Sequence, residues 1–264
     1  MVTIQKMLTD KQYKGWSIQA IAWFAIKHKI VTACVSTWYK YIKILNIQRT
    51  SAKSRRKNHD IGIRAASPHK LWHMDVTIFK TQDNIKAYIH ILMDNNSRAI
   101  LGFRISLKLK AANTVSLLKE ANDKYILPNS AKLQEVTLLT DGGSENQAAE
   151  VEDFTDSSDN IIRKLRSLVD VTFSNSMVEA YNKILKYGFL YHKELPDFVA
   201  LKNYLPKAIK EYNEIRPHHA HKYLTPTEVL NGQQIQQDKF KQEFKQAMIK
   251  RNKEHQNPEC GVCV

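Results

Sequence analysis

Apolar and polar positions along this 264-residue chain change their period near residue 70. Before it the spacing is helical. Ile18, Ile21, Ala22 and Ala25 share one face of a helix that Ser17 can cap, and Val35, Trp38, Tyr39, Ile42 and Leu45 mark the face of a second after a break at 30–32. Two short Lys-rich helices with a tight connection predict a small all-α helix-turn-helix segment over 1–47, leaving Ser36, Thr37, Lys40 and Lys43 free to meet DNA. An ordinary helical hairpin with solvated lysines fits the same pattern. Residues 48–70 lack apolar periodicity and read as a basic linker carrying Lys53, Arg55, Arg56 and Lys57.

From Leu71 the period becomes two. Trp72, Met74, Val76 and Ile78 point one way, and Leu71, His73, Asp75, Thr77 and Phe79 the other, which predicts a strand with one wholly apolar face. Ala87, Ile89, Ile91 and Met93 give a second strand, DNNSR at 94–98 a turn, and Leu101, Phe103 and Ile105 a third strand. Ala111, Val115, Leu118, Ala121 and Tyr125 recur at helical spacing until Pro128. A fourth strand over 136–140 stops at Asp141. With a helix before it, it is expected to run parallel to others and to lie beside the first.

Residues 142–170, polar and acidic with two glycines at the start, read as a mobile loop with room for a helical turn. Ser174 or Asn175 then caps a helix through Met177, Val178, Tyr181, Ile184, Leu185 and Gly188. A further helix is expected over 195–212, with Pro196 at its start and Pro206 kinking or splitting it. Residues 212–232 read as a turn followed by a short capped helix, and a charged helix or tail begins at Gln233.

Composition narrows the class. A 43% hydrophobic and 25% charged chain is globular, not disordered, and no apolar run has the length of a membrane span or the form of a signal peptide. A cytoplasmic, nucleoid location is the expectation. Cys34, Cys260 and Cys263 make no disulfide framework, and the CGVC pair at the C-terminus is half of a zinc spacing without a second half. The formal charge of +14 is segregated: residues 1–70 carry ten Lys and four Arg against Asp10 and Asp60, a net of +12. A polyanion such as double-stranded DNA meets that end first.

Three carboxylates stand out by position: Asp75 in mid-strand, Asp141 at a strand end beside two glycines, and Glu179 in the first turns of a helix. Each has an ordinary reading, as an ion-paired acid, a turn residue and a helix-start acid. If the first and fourth strands are neighbours, Asp75 and Asp141 meet, and a helix over the sheet brings Glu179 to them. Carboxylates so clustered repel one another unless cations lie between them, and hard divalent ions, Mg²⁺ or Mn²⁺, suit an all-oxygen set. Two such ions activate a nucleophile on one side of a phosphate and stabilise the leaving oxygen on the other. Lys183 and Lys186, four and seven residues beyond Glu179, are placed to hold phosphates. His73, Asp94, Arg98, His218 and His219 are read as local packing, turn or ion-pair residues.

WHMDVT around Asp75, TDGGSEN around Asp141, NSMVEAYNKILKY around Glu179, and the closing YNEIRPH and LTPTEVLNG together resemble the integrase-type catalytic core of insertion-sequence DDE transposases, relatives of retroviral integrases. The resemblance covers about 60–232. It implies an α/β, RNase H-like mixed five-stranded sheet flanked by helices. It also implies a DDE triad of Asp75, Asp141 and Glu179 as catalytic and metal-binding residues, with 37 residues between the second and third. The implied cofactor is Mg²⁺ or Mn²⁺, two ions, and the implied partners are element-end and target DNA, further copies of the chain on DNA, and an upstream-frame product. Lys183, Lys186, Lys40, Lys43, Arg55, Arg56 and Lys57 are the expected DNA contacts. The expected divisions are a DNA-binding segment (1–47), a linker (48–70), a catalytic core (71–195), its helical C-terminal part (196–232) and a charged tail (233–264). A hydrolytic nuclease of the same fold and a non-enzymatic DNA-binding regulator are the rival readings.

Overall fold

The computed structural model describes residues 2–49, 63–131, 133, 135–143, 146, 148–157, 161–167, 169–170, 175–236 and 238–256, without the side chains of 254–256. Of these, the residues within Met1–Lys53, Arg216–Leu224 and Gln234–Val264 form one compact unit, and those within Ser54–Ile215 and Thr225–Gln233 a second.

The first unit contains α1 (Val2–Thr9), α2 (Ile18–Lys27) and α3 (Val35–Ile44). The Ser17 hydroxyl accepts from the Ala20 N–H and caps α2 as expected. The helix α1, absent from the sequence reading, adds Ile4, Met7 and Leu8 to a core with Trp16, Ile21, Ala25 and Trp38. Trp38 fills the centre of α3, and Tyr39, expected on the packed face, is turned outward and 46% exposed. Arg49, placed by sequence in a basic linker, instead serves this core: Nη1 donates to the Leu8 carbonyl (2.7 Å), and Nη2 to those of Tyr13 (2.8 Å) and Trp16 (3.0 Å). From later in the chain, Tyr223 and Phe240 pack on Trp23, and Arg251 donates to the Thr32 carbonyl.

The second unit is built on a five-stranded mixed sheet of β1 (Leu71–Lys80), β2 (Lys86–Asp94), β3 (Ile100–Ser106), β4 (Val136–Thr140) and β5 (Ile162–Arg166), in the order β3-β2-β1-β4-β5. The first three strands form the expected antiparallel meander. β4 runs parallel beside β1, with Leu71 opposite Thr137 and Met74 opposite Thr140. Helix α4 (Ala111–Ala121) and α5 (Ala149–Asp156) cover one face, where Trp72, Met74, Leu92 and Leu138 meet Leu117, Leu118 and Val151. Gly102 faces α4: a Cβ there would lie 2.6 Å from Leu117 Cδ1 and would push the end of that leucine side chain aside. On the other face α6 (Ser176–Gly188) and α7 (Phe198–Lys210) bring Val178, Tyr181, Leu185, Leu201 and Leu205 onto Phe79, Ile89, Ile91 and Met93. β1 is therefore covered on both faces over most of its length. Its apolar face is not wholly buried, because Ile78 lies near the strand end and is 46% exposed.

Three expectations are corrected. The stretch 142–170, expected as a loop, contains α5 and β5 among its described residues. IRKLR at 162–166 escapes a hydrophobic reading because three of its five residues are charged, and the described part of this strand pairs only with β4, at the end of the sheet. Pro206 does not split α7, since Pro206 and Lys202, whose carbonyl loses its helical partner, are exposed to water. Of the two expected caps of α6, Ser174 lies outside the described residues, and Asn175 stands at the N-cap position but makes no capping hydrogen bond, its side chain being engaged elsewhere. The short helix near the end is α8 (Pro226–Leu230), closed by a capping box between Thr225 and Glu228. The charged C-terminal helix is α9 (Lys241–Gln256). Among the described residues no helix is long and apolar enough to cross a membrane.

Candidate active site

The parallel register carries Asp141 to the level of Asp75. Thr140 is the last paired residue of β4 and lies opposite Met74, so the next residue on each strand is an aspartate. Both carboxylates are half-buried. Asp141 Oδ1 accepts from the Gly143 N–H (3.1 Å) and from Asn146 Nδ2 (2.9 Å), which folds the loop back onto the strand end. Asp75 Oδ1 accepts from the Val76 N–H (2.9 Å), and Oδ2 from Asn182 Nδ2 on α6 at 2.6 Å.

Helix α6 packs along β1 through Val178, Tyr181 and Leu185, which fixes the direction of its remaining side chains. Glu179 lies one turn before Asn182, exposed, and Lys183 is exposed one residue after it. Lys186 is half-buried. Its burial lowers the ammonium pKa, and the charge of Asp75 works against that shift, so the lysine lies within electrostatic reach of the first carboxylate. Among the described residues no three carboxylate, histidine or cysteine side chains converge as a ready metal cage. The structure sets Asp75 level with Asp141, places Lys186 within electrostatic reach of Asp75, and leaves Glu179 exposed.

The donor set suits a hard cation. Asn182 Oδ1, Asn146 Oδ1 and Thr140 Oγ1 are buried oxygens without a hydrogen-bond partner, each on a residue bonded or adjacent to one of the aspartates. Two carboxylates with unpaired buried oxygens beside them supply hard oxygen donors and no sulfur, which suits Mg²⁺ or Mn²⁺ better than softer ions.

Sequence reasoning missed Asn146 and Asn182. Asn182 had a signal, one helical turn beyond Glu179 and adjacent to Lys183. Asn146 had none beyond its closeness to Asp141. His73, read as a local hydrogen-bonding residue, is buried between two asparagines. Desolvation lowers its pKa to about 4, the bond to Asn175 opposing and the charges of Arg98 and Arg64 reinforcing the shift. Asp94 holds the turn through the Ser97 N–H and hydroxyl. Arg98 is buried against Met177, and burial lowers its pKa to about 10. In the first unit His218 accepts the Ala220 N–H at Nδ1. Lys40 and Lys43 are exposed on α3. Arg55, Arg56, Lys57, Cys260 and Cys263 lie outside the described residues.

Residues 65–160 match a family model described as an integrase core domain, and residues 171–226 match a second model of the same description. Together these spans take up more than half of the chain. No curated protein matches. Among solved structures, a chain of the simian T-cell lymphotropic virus intasome, in complex with a PP2A regulatory subunit, is 15% identical with a TM-score of 0.52. That match covers 85% of this chain and 72% of that one, and it shows a shared fold. The integrase catalytic core domain of HTLV-2 in complex with magnesium is 22% identical over 63% of this chain and 99% of that one, with a TM-score of 0.47. The catalytic domain of the Mos1 mariner transposase is 14% identical over 54% and 76%, with a TM-score of 0.41.

Proposed function

We propose that this chain, which belongs to the integrase core domain family, is a DNA transposase that cuts at the ends of a mobile element and joins the freed 3′-hydroxyl to target DNA. The observation that carries the reading is the pair of aspartates on neighbouring parallel strands, with Asn182 and Lys186 of α6 turned to the first of them.

In this reading Asp75, Asp141 and Glu179 hold divalent ions, two in number. When bound, Mg²⁺ or Mn²⁺ supplies the positive charge that lowers the barrier to in-line displacement at a phosphodiester. Asn182 keeps the Asp75 carboxylate in one orientation, and Asn146 does the same for Asp141. Lys183 and Lys186 bind backbone phosphates and align the scissile strand. Lys40 and Lys43 of α3, and Arg55, Arg56 and Lys57 of the basic stretch, bind DNA phosphates as well. Two ends must be held together for joining, so several copies assemble on DNA. No covalent bond between protein and DNA is required.

The test is strand transfer on labelled DNA bearing the element's own ends, with Mg²⁺ or Mn²⁺, comparing the chain with Glu179→Gln. Metal-dependent joined product that disappears in the variant supports the proposal. Hydrolysis without joining replaces it with a nuclease, and binding without cleavage with a regulatory DNA-binding protein.

A further inference from the structure

Three fully or nearly buried side chains form a chain of hydrogen bonds from the entry of β1 to the start of α6: Asn95 (0% exposed), His73 (3%) and Asn175 (2%). Asn95 Nδ2 meets His73 Nε2 at 2.8 Å, and His73 Nδ1 meets Asn175 Oδ1 at 2.6 Å.

Both asparagines are oriented by backbone groups. Asn95 Oδ1 accepts the Ala65 N–H (2.8 Å) while Nδ2 also donates to the Ile63 carbonyl (3.1 Å), so Nδ2 is the donor facing His73. Asn175 Nδ2 donates to the Met74 carbonyl (2.8 Å), so its Oδ1 must accept. The ring between them can only accept at Nε2 and donate from Nδ1, which sets the neutral Nδ1–H tautomer by geometry. An imidazole places a donor and an acceptor on separate atoms of one rigid ring. Asn and Gln carry theirs on a single terminal amide.

Asn175 shows what this contact displaces. An asparagine before a helix ordinarily bonds the N–H of the second or third helical residue, and here that bond is absent. The side chain reaches β1 instead. Asp75 follows His73 by two residues, and Glu179 follows Asn175 by one turn, its N–H meeting the Asn175 carbonyl at 3.4 Å. A tie between His73 and Asn175 therefore sets the start of the helix carrying Glu179 against the strand carrying Asp75.

We infer that His73, acting through Asn175, is a positioning residue that fixes α6 in the register needed for DNA strand transfer. The inference rests on the function proposed above for its consequence, but the tie itself is testable without DNA.

The full chain is compared with Asn175→Ala, Asn175→Ser, His73→Gln and the Asn175→Ser/His73→Gln pair. Serine caps a helix start as well as asparagine does, yet cannot reach His73. Amide hydrogen exchange at Glu179, Ala180 and Tyr181 is expected to rise about tenfold in His73→Gln, the scale of one buried hydrogen bond, and further in the Asn175 variants, which also lose the bond to the Met74 carbonyl, with the pair no worse than Asn175→Ser alone. Exchange in β2 and at Leu185 should stay as in the unaltered chain. Strand-transfer turnover should fall about tenfold while DNA affinity holds. Wild-type behaviour in His73→Gln or in Asn175→Ser, or an equal rise across β2 and the whole of α6, would each overturn the inference. Absence of joining by the unaltered chain overturns the proposed function instead, and the exchange measurement then decides the tie alone.

Discussion

Asn182 donates Nδ2 to Asp75 Oδ2 at 2.6 Å, joining the middle of α6 to the middle of β1 across 107 positions of sequence. The bond holds one carboxylate oxygen and leaves the other to the Val76 N–H, so the orientation of Asp75 depends on a residue with no charge of its own. Asn182→Leu, close in volume, is expected to lower single-turnover strand transfer roughly 10- to 100-fold, the range of one charge-assisted hydrogen bond. Filter binding should show DNA affinity within about twofold. Asn182→Asp should be worse than leucine, because a second carboxylate beside Asp75 raises its proton affinity.

Asp75→Asn, Asp141→Asn and Glu179→Gln are each expected to reduce metal-dependent cleavage by roughly 10³-fold, as loss of several kcal/mol of charge stabilisation would. Glu179 is exposed, so the thermal midpoint of Glu179→Gln, followed by circular dichroism, should match the unaltered chain. A large fall in that midpoint would mean that Glu179 serves the fold.

Phosphate contacts can be counted through salt dependence. Lys183→Gln and Lys186→Gln should each reduce the slope of log affinity against log salt by about 0.9 for duplex DNA. Lys40→Gln and Lys43→Gln should do the same while leaving the rate of joining at saturating DNA unchanged. A slope unaltered by Lys186→Gln would remove that lysine from the DNA interface.

Acid should weaken the sheet unit through two histidines. Desolvation lowers His90 to about 4, as it does His73, both from an ordinary value of 6.5. The unfolded chain therefore binds more protons than the folded one between those values. Stability is whole above pH 6.5, falls as pH drops through the window, and levels off below about 4, at a cost on the order of 3 kcal/mol per histidine. His90 is fully buried with Nε2 unpaired and Nδ1 against Thr114 Oγ1. His90→Leu should abolish about half of the loss between pH 6.5 and 4 in urea unfolding, and a profile identical to the parent would refute the assignment.

Arg49 tests the first unit. Its guanidinium reaches three carbonyls from one fork, so Arg49→Ala should destabilise that unit by about 2–3 kcal/mol. Arg49→Lys should recover little, since an ammonium cannot span the three acceptors in that plane. Urea unfolding followed by tryptophan fluorescence reads the change, Trp16 and Trp38 being in this core.

Where burial is one-sided and periodic, the chain declared its structure. The meander from Leu71, the strand ending at Asp141 and the Ser17 cap were legible because a two- or 3.6-residue period answers directly to a buried face. β5 was not, because an outermost strand with Arg163, Lys164 and Arg166 carries little apolar signal. Arg49 was misread because a lone arginine among basic residues looks the same whether its partners are phosphates or distant carbonyls.

By itself the sequence determined the antiparallel meander, the parallel strand after it, the helices at α2, α3, α4 and α6, and the positions of the carboxylates at 75, 141 and 179, each marked by local spacing or by a motif. Tertiary structure alone decided what faces them. That Asn182 turns to Asp75, that Asn146 folds back on Asp141, and that His73 spends both ring nitrogens between Asn95 and Asn175 all depend on hydrogen bonds. Most of these link residues far apart in sequence. Hydrophobic burial is additive along the chain and leaves a periodic trace, whereas a hydrogen bond requires two specific atoms within about 3 Å, a condition that only the folded backbone can meet.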